Sequence, residues 1–496
     1  MTNYSQLVQL ALPEILVVAT ALLVMAIDLL ALRRRGTRVR FAVAAALASL
    51  GCAAAILRIL LAPAQGSLFD GMLIANPLIH LVQVALLVFT ILTLLLAVDS
   101  TFTGHVGEFV LLLLTATAGM MFLVATQDLL VLFISLELLS LSLYTLAAFS
   151  KRSRQSWEAA LKYYLFGGMS AAFLLFGFSL LYGFANSTSL PVIAAAIHGS
   201  ALNPFIAIAI VTTAIGLGFK IAAAPFHFWA PDVYQGAPAP SAAFIASGSK
   251  VASFFIFFQL VAIGLAAAAG TAALPHIVRG WVPVLALMAA VSMLLGNLVA
   301  IRQTSLRRLL AYSAVAHAGY MLLGIVAHTQ QSLAALLYYV ITYALATLGA
   351  FAVIAVVEDQ RGSDRIAHFD GLSRQAPILS LALAVFLLSL AGIPPLAGFF
   401  AKFYLFATVL GSTPHPADLV WLVVLAIAMS AVSLYYYLRV LKAVYVTPPA
   451  AEARPIHSPI LNQLLVLLLA AAVTLLGIFP NLLLHPILAA IQSSGL

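Results

Sequence analysis

The chain is built from long, unbroken apolar runs separated by short polar segments, and this pattern repeats along its length. A helix crossing the hydrocarbon core of a bilayer needs about 20 apolar residues. About fourteen runs qualify, over residues 11–31, 41–62, 76–98, 107–126, 128–149, 158–184, 204–229, 240–269, 281–301, 305–327, 331–357, 376–411, 417–443 and 460–491. Membrane strands would instead alternate apolar and polar positions over about 10 residues. The pattern therefore predicts an all-α polytopic membrane protein with about fourteen transmembrane helices.

Two runs carry their own interruptions. As one helix, residues 379–411 would be roughly 50 Å long, against a core of about 30 Å. This stretch contains "AGIPPLAGFFAKF", in which Pro394 and Pro395 must break the helix. In "LGFKIAAAPFHFW", Pro225 disturbs the seventh run five residues after Lys220. Irregular backbone at membrane depth is tolerated only where protein buries it or where it lines a water-filled cavity. The seventh and twelfth runs are five helices apart, the spacing that two five-helix repeats over helices 4–8 and 9–13 would produce.

Composition agrees with the pattern. The chain is 64% hydrophobic and 8% charged, where a soluble domain would have about 25% charged residues. No Lys or Arg precedes the first run and the basic cluster "RRRGTRVR" follows it, the wrong charge order for a cleaved leader. The single cysteine, Cys52, excludes a disulfide framework or a Cys-held cluster within this chain.

The loops after odd-numbered helices hold Arg33, Arg34, Arg35, Arg38 and Arg40, then Lys151, Arg152 and Arg154, then Arg302, Arg307 and Arg308, then Arg361, Arg365 and Arg374, and finally Arg439, Lys442 and Arg454. Only Arg58 and Arg279 lie towards the other face. The positive-inside rule puts the crowded face in the cytoplasm and both termini on the opposite side. The net charge of +8 follows from this bias, and no basic helix or aromatic platform points to nucleic acid.

Four lysines remain inside the runs: Lys162, Lys220, Lys250 and Lys402. Each costs about 2.5–3.5 kcal/mol at a helix centre even on the lenient insertion scale, so something must compensate. Glu137, in "LVLFISLELLSLSLY", follows Asp128 by nine residues and so lies about 13 Å into its helix. It is the candidate partner of Lys220. Burial favours the neutral form of either group and pairing favours the charged forms, which makes a Glu137/Lys220 pair sensitive to small changes in separation or hydration. The plainer alternative is a neutralised pair that glues helices together.

Lys220, Lys250 and Lys402 sit on three different runs and are candidates for a row across the bundle. His227, and His317 with Tyr312 and Tyr320 nearby, are candidate proton relays, or simply packing residues. Glu158 and Lys162 are spaced i, i+4 with the acid first, the favourable order on one helix face. Lys162 is then either an entry-side proton carrier or a side chain that snorkels to the interface. Glu14 and Asp28, near the ends of the first run, are expected at the interface. No phosphate loop, paired nucleophile or metal cluster is visible.

The segments "FKIAAAPFHFWAPDVYQGAPAPSAAFIASGSKVA", "FISLELLSLSLYTLAAF", "EAALKYYLFGGMSAAFLLFG", "LRRLLAYSAVAHAGYMLLG" and "SLAGIPPLAGFFAKFYLF" resemble the subunit N family of the bacterial proton-pumping NADH:quinone oxidoreductase, respiratory complex I. Within the wider antiporter-like group, the "FWAPDVYQGAP" wording, a Lys at 402, and no long helix beyond the fourteenth run favour that family. The resemblance implies fourteen helices with two inverted five-helix repeats, broken helices 7 and 12, and a hydrated polar axis at mid-membrane. Residues 1–101 would be helices 1–3, 102–270 and 271–445 the two repeats, and 446–496 the last helix. It also implies that Glu137 and Lys220 form a coupling pair, that Lys250 is a central relay, and that Lys402 lies nearest the far-side half-channel. Such a chain would sit in the bacterial inner membrane and translocate protons beside other membrane-arm and peripheral-arm subunits. NADH, flavin, iron–sulfur clusters and quinone would belong to the assembled complex, with no cofactor in this chain. The competing readings are a cation/proton antiporter subunit working without electron transfer, and a non-conducting scaffold.

Overall fold

The structure, a computed structural model, describes residues 4–199, 202–274, 276–412, 416–449 and 456–495; Arg454 lies outside them. Twelve helices are long and apolar enough to cross a membrane. Two further crossings are each made of two shorter pieces, which brings the total among the described residues to fourteen. The seventh is Pro204–Lys220 followed, after an unwound stretch, by Trp229–Gly236. The twelfth is Pro377–Ala391 followed by Ala397–Gly411. The Pro225 and Pro394/Pro395 interruptions thus fall where the sequence requires them.

Local chemistry sets many of the ends. Asp128 caps the fifth span (Leu129–Ala147), accepting from the backbone N–H groups of Leu130 and Val131 at 2.9 and 3.1 Å. Asn203 caps Pro204–Lys220 through Ile206 N–H, with Pro204 at the first helical position. Thr329 and Ser332 form a reciprocal capping box at the start of Gln330–Arg361.

Burial separates central from peripheral helices. The most apolar windows of Ala239–Gly264, Leu306–Ala327 and Gln330–Arg361 are 89–100% buried, whereas those of Leu12–Leu32, Thr37–Leu61, Arg154–Ala185, Val420–Tyr445 and Ile460–Ile478 are 22–33% buried. The eighth, tenth and eleventh spans are therefore enclosed by the rest of the chain. The ninth and tenth approach closely at reciprocal glycines. A Cβ at Gly296 would lie 2.5 Å from Ala316 N, and one at Gly319 would lie 2.7 Å from Ala289 O. Small residues let backbones meet where lipid offers no hydrophobic gain from association.

Three features differ from the sequence expectation. Glu14 and Asp28 stand near the two ends of the first span, but both are buried against neighbouring helices rather than solvated. Asp28 accepts from Arg40 Nε at 2.8 Å, from Arg40 Nη2 at 2.5 Å and from Gly107 N–H at 2.9 Å. Position along a helix does not say which face meets a neighbour, and the first span turns both acids inward. The eighth span is also interrupted, at Ser247 (φ −115, ψ −89), three residues before Lys250. Finally, the last apolar run divides at Phe479 and Pro480 into Ile460–Ile478 and Asn481–Ser493, because Pro480 cannot continue the ladder.

Candidate functional site

The three deepest lysines each stand at a helix interruption. Lys220 is the last residue of its half-helix, and the chain beyond it turns through Ala222 with φ 59, an unusual conformation for a residue with a Cβ. Two bonds hold that turn: Ala223 N–H to Gly218 O at 2.8 Å, and Ala224 N–H to Ser292 Oγ at 2.8 Å. Lys250 follows the Ser247 break. Lys402 lies in the second half of the twelfth span, and its amine reaches back to the carbonyls that end the first half, Leu390 at 3.0 Å and Ala391 at 2.9 Å. An ammonium there complements the negative end of the helix dipole. Ser430 Oγ, 2.8 Å away, completes its shell.

Lys220 and Glu137 are not in direct contact. The Lys220 amine, buried, donates to Ser140 Oγ at 2.7 Å, and Ser140 lies one turn beyond Glu137 on the fifth span. The two charges act on one another electrostatically, while Glu137 Oε1 is buried with no hydrogen-bond partner among the described residues. A serine hydroxyl, rather than the Glu137 carboxylate, is therefore the hydrogen-bond partner of the Lys220 amine.

Lys250 and Lys402 flank one cluster of aromatic and hydroxyl groups. Lys250 donates to Ala314 O at 3.0 Å and lies 5.5 Å from the Tyr343 ring centroid; Lys402 lies 5.2 Å from the Tyr320 centroid. These are cation–π distances. Between them is His317, whose ring is 5.0 Å from Tyr343 and 5.7 Å from Tyr320. Its Nδ1 is 3.0 Å from Tyr339 OH and its Nε2 is 3.4 Å from Tyr437 OH. His317 is thus in the row between two lysines. His227 is less engaged. It is buried in the unwound part of the seventh span, with Nδ1 unpartnered among the described residues and its ring 6.3 Å from that of Tyr312. No hydrogen bond among the described residues joins Lys220 to Lys250.

Lys162 belongs to a separate, half-exposed network at the end of the bundle where the arginines collect. It pairs with Glu158 at 2.7 Å, as the i, i+4 spacing predicts, and with Asp232 at 2.8 Å. Asp232 in turn pairs with Arg308 at 2.6 Å. Arg307 donates to Ala237 O at 2.8 Å and to the Glu358 carboxylate. These contacts clamp Trp229–Gly236 between the sixth, tenth and eleventh spans, beside a cavity of about 320 Å³ that Gln155, Gln235, Arg307 and Glu358 help to line. Sequence reasoning missed the roles of Asp232, Arg307 and Glu358. Their signal was an acid in "APDVYQG" and bases at a helix start, each needing a partner whose identity depends on folding.

Asn297 was missed as well. Fully buried, it donates from Nδ2 to Tyr320 OH at 3.0 Å and accepts at Oδ1 from Tyr436 OH at 3.1 Å, so it fixes the ring that faces Lys402. Asn297→Leu is expected to destabilise the chain by about 1–3 kcal/mol for each hydroxyl left unpaired and to lower transport. Thermal unfolding in detergent, compared with Asn297→Asp, checks this.

Residues 126–432, which contain Glu137 and all four buried or half-buried lysines, match the family described as NADH:quinone oxidoreductase/Mrp antiporter, TM. The NADH-quinone oxidoreductase subunit N 2 of Acidobacterium capsulatum is 56% identical over 97% of this chain and 99% of its own length. The chain belongs to the subunit N family of NADH-quinone oxidoreductase. Subunit N of an Anaeromyxobacter species is 36% identical over 94% of this chain and 93% of its own. Among solved structures, a chain of respiratory complex I from Thermus thermophilus aligns with a TM-score of 0.78 at 34% identity, covering 95% of this chain and 98% of that one. A chain of the Mrp complex from Dietzia aligns with a TM-score of 0.82 at 20% identity, over 99% and 97%, a likeness of fold alone. The antiporter-like fold of this chain, with its broken seventh and twelfth spans, is the frame on which the lysines are held.

Proposed function

We propose that this chain is a membrane-arm subunit of an NADH:quinone oxidoreductase, in which protons cross the bilayer along Glu137, Lys220, Lys250 and Lys402 while other subunits carry the electrons from NADH to quinone. The observation that carries the reading is the enclosure of three amines at three helix breaks, two of them joined by a titratable cluster centred on His317. A buried ammonium is costly, and one that meets only neutral groups releases its proton more readily than one in a closed ion pair. Lys220, bonded to Ser140 rather than to Glu137, is therefore a proton store whose hold depends on the distance to that acid. Lys162 and its acids guard the face crowded with basic residues, which the reading assigns to the cytoplasm, with both described ends of the chain on the opposite side.

The unwound, lysine-bearing seventh and twelfth spans lie five helices apart, which supports the paired repeats of helices 4–8 and 9–13. The redox groups belong to partner subunits.

The deciding experiment compares proton uptake by membranes energised with NADH in wild type and Lys220→Ala. The proposal expects pumping to fall while the complex still assembles. Unchanged pumping in an intact complex refutes it, and proton flux that needs no NADH would favour a separate cation/proton antiporter.

A further inference from the structure

The first span carries an acid that the lysine row does not use. Glu14 stands in the first turn of this span (Leu12–Ile27) and is 1% exposed. Its Oε1 accepts a 2.6 Å hydrogen bond from Gln83 Nε2 of the third span (Pro77–Ala97), and the same amide nitrogen lies 3.4 Å from Met121 O of the fourth (Val106–Val124). Oε2 is buried and without a partner among the described residues.

No described cation neutralises this carboxyl. Of the charged or titratable groups on the elements packed around that end of the span, Tyr4 and Asp70 are exposed, and the half-buried Arg58 donates to Gln9 O at 3.5 Å rather than to this carboxyl. His80 is buried one turn before Gln83 on the same helix. The fourth span has no titratable residue between Glu108 and Asp128, and Asp28 and Arg40 form their pair at the other end of the first span. A carboxylate here would be held by one amide donor and by the pull of a helix N-terminus, which is weak beside the penalty of burying an unpaired charge. A carboxylic acid suits the geometry better, with Oε1 as the carbonyl oxygen that accepts from Gln83 and Oε2 as the hydroxyl.

We propose that Glu14 is a proton-binding carboxyl of the N-terminal helices, separate from the lysine row, with its carbonyl oxygen held by Gln83.

The test is infrared spectroscopy of the intact complex. The difference between wild type and Glu14→Gln is expected to contain a carboxylic-acid C=O stretch that shifts in D2O, and Gln83→Leu is expected to move that stretch to higher frequency by removing its donor. Carboxylate stretches in place of the acid band overturn the proposal, as does conversion of the band to carboxylate on adding sodium, which would make the ligand a metal cation. If Glu14→Gln does not assemble, the comparison of Gln83→Leu with wild type decides alone: a shifted acid C=O supports the site, and an unchanged C=O region rejects it.

Discussion

Lys250→Met is expected to remove redox-linked proton flux through this subunit almost completely while leaving the chain folded. Lys250 is buried in the eighth span, the most enclosed in the molecule, and its amine faces Ala314 O and the Tyr343 ring. Methionine keeps the length of the side chain and fills the same space. The loss of one donor to a carbonyl costs about 1–3 kcal/mol, but removing a buried amine relieves a desolvation penalty of similar or larger size. The two nearly offset, so stability should change little. Transport has no such compensation: without a group that takes and gives a proton at this point, the path between Lys220 and His317 is cut. Proton-transfer groups typically contribute about 10²–10⁴-fold to rate, and a loss of at least about a hundredfold in flux through this subunit is expected. Dye-quenching measurements of proton uptake in vesicles, normalised to the amount of assembled complex, check it. Full pumping in Lys250→Met would remove the central member of the row.

Gly398→Ala should be nearly as damaging, although it touches no titratable group. At an unconstrained helix position, Ala is about 1 kcal/mol more favourable than Gly. At 398, however, the added Cβ would lie 1.8 Å from Ser389 O and 2.6 Å from Ser389 C, and backbone cannot swing aside as a long side chain can. Steric overlap therefore wins over propensity, and the second half of the twelfth span must move away from the first. That movement pulls Lys402 off the Leu390 and Ala391 carbonyls. Overpacking of this kind costs about 1–3 kcal/mol or more, and pumping should fall with it. Gly411, at the far end of the same helix, supplies the control, because a Cβ added there would meet no described atom within 4 Å. Gly411→Ala should be neutral or slightly stabilising. Equal behaviour of the two variants would show that close approach at the helix break is not what holds Lys402.

Much of the site was readable before folding because membrane insertion makes polar residues conspicuous. Lys220, Lys250, Lys402 and Glu137 stand out in apolar runs where each is costly, and the prolines at 225, 394 and 395 mark the breaks. Partners were less readable. Ser140 precedes Lys220 by 80 positions and Ser430 follows Lys402 by 28, and nothing local distinguishes either serine from one that merely bonds its own helix. The same holds for Asn297, whose two tyrosines come from two other spans. The burial of Glu14 and Asp28 was unreadable for a related reason: the amino-acid pattern locates a residue along the membrane normal, but not around the helix axis.

Sequence by itself determined that the chain spans a membrane about fourteen times, that the seventh and twelfth spans are broken, and which residues are too polar to face lipid. Those properties follow from hydrophobicity, length and the missing proline N–H, all of them local. Only the tertiary structure decided that Lys220 bonds a serine rather than an acid, that His317 lies between Lys250 and Lys402, and that Asp232 ties three helices together. These contacts depend on how helices rotate and pack against one another, and close packing is set by the shapes of all neighbours together rather than by any one segment.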